Sequence, residues 1–147
     1  FALLKTPSKN LPSDHTSVHI RSVYLTYPSD SLIYSDNFQG KNYIPEISYQ
    51  RSSIRFEYDL FSFTRAEDVS FRYRFKDQKD WSDYTSSLTK EYSNLDEGEH
   101  TFQVEAVFAD GTTSIDEFTF VILPPWYRSS IAYIFYLVVL LGFLWYV

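Results

Sequence analysis

The side chains best suited to metal or acid–base chemistry are three histidines, and their positions do not favour a shared site. His15 and His19 are four residues apart, and His100 lies far along the chain. On a helix the first two would face the same way, but Val18 and Ile20 favour a strand there. Because the chain has no cysteine, zinc and redox sites built on thiolates are excluded. We therefore expect neither a metal site nor a bound cofactor.

Carboxylates are the next candidates, since acidic residues number 19 against 13 Lys and Arg. A pair of them could serve a glycosidase, but nearly all fall at outward strand positions or in turns, as on a solvated face. Three aspartates between residues 77 and 83 surround Trp81. Their spacing does not fit an EF-hand calcium loop, and Lys76 and Lys79 offset their charge. With no phosphate loop, serine elbow or H-E-x-x-H motif, we predict that this segment is not an enzyme.

The composition indicates which elements must position these residues. Aromatic residues make up 20% of the chain and glycines number only 4, which favours β-strands over disorder. The net charge of -6 argues against a nucleic-acid-binding surface, which needs a basic face. The chain has no methionine and starts without a signal peptide, so we expect it to be part of a longer protein.

Apolar residues alternate with polar ones in several runs, and this period of two is typical of strands with one buried face. The clear runs lie at 54–60, 69–76, 102–108 and 118–122, with weaker strands expected at 18–24 and within 86–95. Turn signals that contain glycine lie at 96–99 and 109–112. Roughly six or seven short strands at this spacing predict an all-β fold over 18–125, an antiparallel sandwich of immunoglobulin or fibronectin III type.

Two segments do not follow this alternation. Residues 1–17 are mostly polar and contain Pro7 and Pro12, so we expect a linker or the end of an upstream domain. Residues 29–50 predict a long loop with a short edge strand. We expect the aromatic residues of this loop to cover the sandwich edge rather than bind a ligand; they are Tyr34, Phe38, Tyr43 and Tyr49.

Trp81 and Tyr84 are the aromatic residues best placed to bind a sugar by stacking, as carbohydrate-binding modules do. The alternative is that Trp81 packs over the end of the sandwich and that its indole N–H donates to a backbone carbonyl. We favour this structural role.

The C-terminal segment, 126–147, has a different character. It contains one charged residue, Arg128, and 131–147 lack any charged or amide side chain. Crossing a bilayer core takes about 20 helical residues, so we predict a transmembrane α-helix that is cut before its far flank. Trp126, Tyr127 and Arg128 would anchor this helix at the membrane interface. The alternative is a buried C-terminal helix or strand, although a small soluble domain rarely buries a helix that is apolar on all faces.

An ordered set of residues between 53 and 126 matches the pattern of a known family. It comprises Ser53-Ile54-Arg55-Phe56, Phe71-Arg72-Tyr73-Arg74-Phe75, Trp81-Ser82, Tyr92-Ser93-Asn94-Leu95, Gly98, Phe102-x-Val104-x-Ala106, Gly111 and Ile122-x-Pro124-Pro125-Trp126. On these residues the chain resembles the triple-tyrosine (Y_Y_Y) domain. The positions that carry the family motif are Phe56, Tyr73, Trp81, Tyr92, Leu95, Gly98, Phe102, Val104, Ala106 and Gly111. His100 departs from the pattern, because the family usually has Tyr there, but an imidazole can still donate one hydrogen bond to the backbone.

The resemblance implies a role in signalling. In that family the domain is a periplasmic sandwich of an envelope-spanning regulator, between a β-propeller sensor and a transmembrane helix. The cytoplasmic output is a histidine kinase or a LuxR-like helix-turn-helix, and many members respond to glycans and act as dimers. The resemblance thus implies a protein of the bacterial inner membrane, with residues 1 to about 125 in the periplasm. The implied partners are a second copy, the upstream sensor and downstream output domains of the same polypeptide, and the lipid bilayer, with no nucleic acid on this segment.

Pro124 and Pro125 join the predicted sandwich to the predicted helix. They cannot extend a strand ladder and hold φ near about −65°, so the exit from the sandwich should be stiff. Only two residues between 118 and 131 offer flexibility, Ser129 and Ser130. We therefore expect Pro124, Pro125 and Trp126 to form a joint that passes a movement of the sandwich to the helix. The alternative function is a membrane-tethered carbohydrate-binding or adhesion module.

Overall fold

Eight β-strands and a C-terminal helix are present in the residues that the computed structural model describes, which are 17–37, 40, 42–49, 53–61 and 69–147. The strands are β1 (Ser17–Leu25), β2 (Ser31–Ser35), β3 (Glu46–Ser48), β4 (Ile54–Phe61), β5 (Val69–Phe75), β6 (Thr89–Tyr92), β7 (Gly98–Phe108) and β8 (Thr113–Leu123). A 3₁₀ helix at Trp126–Arg128 leads to α1 (Ser130–Tyr146). Apart from Ser17, the predicted linker at 1–17 lies outside the described residues.

The strands form two four-stranded sheets that pack face to face. Sheet 1 has the order β2-β1-β4-β6, and sheet 2 has the order β3-β8-β7-β5. The described pairs are antiparallel except for β3 and β8, which run parallel with Glu46 opposite Val121 and Ser48 opposite Leu123. The all-β sandwich is confirmed, but the antiparallel prediction is wrong for this pair. The chain crosses from β2 at the edge of one sheet to the edge of the other, so no hairpin sets the direction of β3.

The period-two runs all lie in strands, and the differences fall in the segments without a clear pattern. The predicted strand within 86–95 shrinks to β6. The predicted loop at 29–50 holds two edge strands, β2 and β3, one on each sheet. Of its aromatic residues Tyr34 is buried as expected, whereas Tyr43 and Tyr49 stay about half exposed, and Phe38 lies outside the described residues.

The core between the sheets is built largely from aromatic rings. Phe56 of β4 is fully buried at its centre, with its ring stacked on that of Phe102 at 4.1 Å between centroids. Phe118 and Phe120 of β8 lie 6.4 Å and 5.8 Å from the same ring. Aromatic pairs in these geometries contribute about 0.5–1.5 kcal/mol beyond the burial of their area. The core therefore holds β8, a strand of sheet 2, firmly against sheet 1.

Candidate functional site at the joint between sandwich and helix

The last strand is held in its sheet up to its final residue. Ile122 pairs with Ile47 of β3 on one side and with Gly98 of β7 on the other. Both isoleucine side chains are buried, and Gly98 has a φ of +122°, which only glycine adopts readily. Leu123 still pairs with Ser48 of β3. The chain therefore leaves the sandwich from a strand end that is fixed by its pairing.

The two prolines predicted to form the joint follow directly after β8 and differ in their surroundings. Pro124 is exposed, whereas Pro125 is buried. Pro125 has an extended backbone with φ −60° and ψ 148°, and its carbonyl accepts a hydrogen bond from the Arg128 N–H at 2.9 Å. Because neither proline can donate an N–H, the ladder of β8 ends here and the chain turns into the 3₁₀ helix.

Ser129 connects the 3₁₀ helix to α1 and is more ordered than its residue type suggests. Its Oγ donates to the Trp126 carbonyl at 2.7 Å and accepts from the Ala132 N–H at 3.3 Å. Its own N–H also donates to the Trp126 carbonyl, at 3.2 Å. Ser129 is therefore the N-cap of α1 and ties the two helical elements together.

An ion pair attaches the joint to the body of the sandwich. The Arg128 guanidinium nitrogen lies 2.8 Å from Glu97 Oε1, within ion-pair distance, and Glu97 lies in the loop between β6 and β7. The other carboxylate oxygen of Glu97 is buried and has no hydrogen-bond partner among the described residues. Sequence reasoning assigned Arg128 to the membrane interface and Glu97 to a turn, and it missed the pair because the two residues lie in different elements.

His100 holds the same loop from the sandwich side. Its Nε2 lies 2.8 Å from the Asp96 carbonyl oxygen, to which it donates, as the sequence predicts. Its ring packs 5.6 Å from the rings of Phe75 and Phe120. The histidine therefore fixes the residue next to Glu97, and through Glu97 it supports the joint.

The aromatic residues around the joint line an open apolar cleft. Trp126 is 74% exposed and Tyr127 is 48% exposed, and Tyr49, which directly follows β3, also lines the cleft. The remaining lining residues are Ser48, Leu123, Pro124 and Pro125. Tyr136 of α1 reaches back with its hydroxyl to the Tyr127 carbonyl at 3.4 Å. The predicted interface anchors Trp126 and Tyr127 thus lie where the helix begins, with their rings uncovered.

The helix α1 has an uncovered apolar surface along its whole length. All its residues are exposed except Ala132, which is partly buried. It has 17 residues, which corresponds to about 25 Å. Among the described residues no helix combines the length and the apolar character that crossing a membrane requires. The predicted helix is therefore present, and its predicted role as a membrane span is not confirmed.

The family-motif residues mainly build and close the sandwich. Those that are fully buried are Phe56, Phe102, Val104 and Ala106, and those partly buried against the core are Tyr73, Tyr92 and Leu95. Gly98 and Gly111 have positive φ values of +122° and +83°, as the turns at their positions need. These roles are structural, and their contribution to signalling stays a prediction.

Trp81 lies over the outer face of sheet 2 rather than over the end of the sandwich. The guanidinium carbons of Arg74 and Arg72 lie 4.4 Å and 5.0 Å from its ring centroid. Arg72 also pairs with the buried Glu105 and lies 5.6 Å from the ring centroid of Tyr84. The cations stacked on the Trp81 ring cover part of the aromatic surface that a bound sugar would need. Within the described part of the chain, no group of three or more His, Asp or Glu side chains could hold a metal ion.

Comparisons with known proteins agree with this fold. No family model matches the chain, and no curated protein matches it. The extracellular domain of BT3049, assigned as a hybrid two-component system of B. thetaiotaomicron, has a similar structure, with a TM-score of 0.61 and 18% identity over 74% of this chain and 15% of that one. Two structures of the extracellular domain of BT4673 from the same organism, assigned as a one-component system in one and a hybrid two-component system in the other, have TM-scores of 0.57 and 0.56.

The two BT4673 structures share 21% and 22% identity with this chain. They match 79% of this chain, which corresponds to only 16% of their own length. The chain thus corresponds in fold to a small part of extracellular domains from sensor systems. This fold is the one that the resemblance to the triple-tyrosine family implies.

Proposed function

We propose that this segment is the periplasmic domain next to the membrane of an envelope-spanning signalling regulator. Its role is to pass a signal from an upstream sensor domain, which binds glycans, to a cytoplasmic kinase or DNA-binding domain. The similarity to extracellular domains of Bacteroides sensor systems supports the class of protein. The segment itself is not an enzyme in this proposal and needs no cofactor.

The observation that carries the proposal is the stiff path from β8 to α1. The strand is paired on both sides up to Ile122 and with β3 up to Leu123, Pro125 is buried, Ser129 caps the helix, and Arg128 is paired with Glu97. A path without a free hinge can pass on a translation or rotation, whereas a flexible linker would absorb it. Two copies whose sandwiches change their packing would in this way move two helices relative to each other.

Membrane insertion of α1 is the second part of the proposal. Its exposed apolar side chains need a non-aqueous environment, and the rings of Trp126 and Tyr127 suit the headgroup region where such a helix starts. In the full-length protein, extraction of membranes with carbonate should leave the regulator in the pellet. Its release into the supernatant would contradict insertion.

The joint itself is tested by replacing Pro124 and Pro125 with glycines in the full-length regulator. We expect output to stop following the inducer while inducer binding is unchanged. Two glycines at Lys79 and Asp80, in an exposed loop outside the path from β8 to α1, add the same flexibility elsewhere and should leave signalling intact. Normal signalling by the joint variant would refute the coupling role.

A membrane-tethered sugar-binding module is the competing function. Tyr84 is 59% exposed and favours it, but the arginines stacked on Trp81 oppose it. Saturable binding of oligosaccharides by this chain, lost on Tyr84→Ala without unfolding, would favour the competing function.

A further inference from the structure

Among the described residues, the upstream half of the first strand has a strand partner on only one of its two edges. β1 pairs with β4 along its whole length, but it pairs with β2 only from Ser22 to Leu25. The register with β4 shifts between Ile20 and Ser22, where Arg21 is the extra residue. This irregularity divides β1 into an upstream half beside β8 and a downstream half beside β2.

Side chains of β8 take the place of the missing strand. The N–H of Val18 donates to Ser114 Oγ at 3.1 Å, and the N–H of Ile20 donates to Asp116 Oδ2 at 2.8 Å. The two donors are two residues apart, as are the two acceptors, so the contacts repeat with the period of the strands. β8 belongs to the other sheet, and these bonds therefore connect the two sheets through backbone groups of β1.

The connected strands are the first and the last of the sandwich. β1 receives the chain from upstream, and β8 ends at the joint. From Asp116 to Leu123 β8 runs without interruption for about 23 Å at the usual rise of a strand. Hydrogen bonds to a carboxylate are among the stronger ones in proteins, so Asp116 is the firmer of the two contacts.

We propose that Ser114 and Asp116 are positioning residues that pass a displacement of β1 directly to β8. This proposal rests on the proposed function as a coupling domain. It adds the route by which a movement entering at β1 reaches the joint without passing through the aromatic core. Asp116 makes a further contact besides the hydrogen bond from the Ile20 N–H. The test therefore compares variants of Asp116 that keep or remove its acceptor oxygen.

The experiment uses the full-length regulator with Asp116→Ala and Asp116→Asn. Alanine removes the acceptor, and the response of output to the inducer should fall by about fivefold or more, the lower range of allosteric couplings. Asparagine keeps an amide oxygen at the same place and should restore much of the response. Inducer binding should be unchanged in both variants.

A control separates coupling from stability. Tyr58→Phe removes the hydrogen bond from the Tyr58 hydroxyl to the Ser87 carbonyl, at 2.9 Å, which involves no group of β1 or β8. If Tyr58→Phe lowers thermal stability as much as Asp116→Ala does, it should still signal normally. If Asp116→Ala leaves the protein unfolded, Ser114→Ala replaces it as the milder change.

The outcomes distinguish this inference from the proposed function. Normal signalling by Asp116→Ala, together with loss of signalling in the joint variant, would overturn only the link between β1 and β8. Normal signalling by both would overturn the coupling function as well. Equal losses in Asp116→Ala, Asp116→Asn and Tyr58→Phe would mean that stability alone matters, and this too would overturn the link.

Discussion

Reversing the charges of the Glu97–Arg128 pair is the sharpest test of how the joint is held. We expect Glu97→Arg and Arg128→Glu each to bring like charges together at the joint and to alter output. The double reversal should restore much of the pair, because the two charges then attract again. The guanidinium nitrogen and the carboxylate oxygen are close, at a distance of 2.8 Å.

The magnitude of this effect follows from the exposure of the pair. The side chain of Arg128 is 55% exposed and that of Glu97 is 30% exposed, so solvent screens part of the attraction. Pairs of this kind contribute about 0.2–1 kcal/mol. An energy of that size shifts an equilibrium between two joint positions by about fivefold at most. We therefore expect a change in the set point of signalling rather than its loss.

The assay measures basal and induced output of the full-length regulator, together with chemical unfolding of the 147-residue chain for a double-mutant cycle. The matched control is the reversal of Lys76 and Glu117, an exposed pair at 3.9 Å on the outer face of sheet 2. This control should leave output unchanged, and it should not alter the coupling energy of the Glu97–Arg128 pair. Single reversals without any effect on output, or a double reversal no better than either single one, would refute the role of the pair.

Three further predictions concern the sandwich itself. Phe56→Ala should lower the free energy of unfolding by about 3–5 kcal/mol, whereas Phe61→Ala on the same strand, at a side chain that is 66% exposed, should cost much less; equal losses in urea unfolding would contradict the core that we describe. Burial raises the pKa of Tyr58 to about 12 from 10.0, so the unfolded chain releases this proton first and stability should fall as the pH rises from 10.0 toward about 12. Tyr58→Phe should flatten that loss in alkaline unfolding curves, and an unchanged slope would count against the burial. Trp81→Ala should lower the free energy of unfolding by about 0.5–2 kcal/mol, because the stacking with Arg72 and Arg74 is lost. Calorimetric titrations with oligosaccharides should show no binding by this variant or by the parent chain. Binding by the parent chain alone would instead support the sugar-binding function.

The long strands could be predicted because their signal is local. In β4 the residues from Ile54 to Tyr58 alternate between buried and outward positions, and such alternation is visible without knowing any partner. The two short edge strands carry no such signal, since β3 has only 3 residues and its one buried side chain is Ile47. Its parallel pairing with β8 depends on the crossing of the chain between the sheets, which no local pattern encodes.

The joint shows the same division. Pro124, Pro125 and the aromatic residues after them are evident in the sequence, because proline restricts the backbone wherever it stands. Sequence alone therefore determined where the strand must end and that an apolar helix follows.

Only the tertiary structure decided what holds that joint in place. The partners of Arg128 and Asp116 are Glu97 and the N–H of Ile20, the latter 96 residues away along the chain. Charged and polar side chains of these types fit equally well on a solvated face, and their sequence positions do not reveal a partner. The physical reason is that a hydrogen bond or an ion pair depends on distance in space, which the fold sets after the strands have found their sheets.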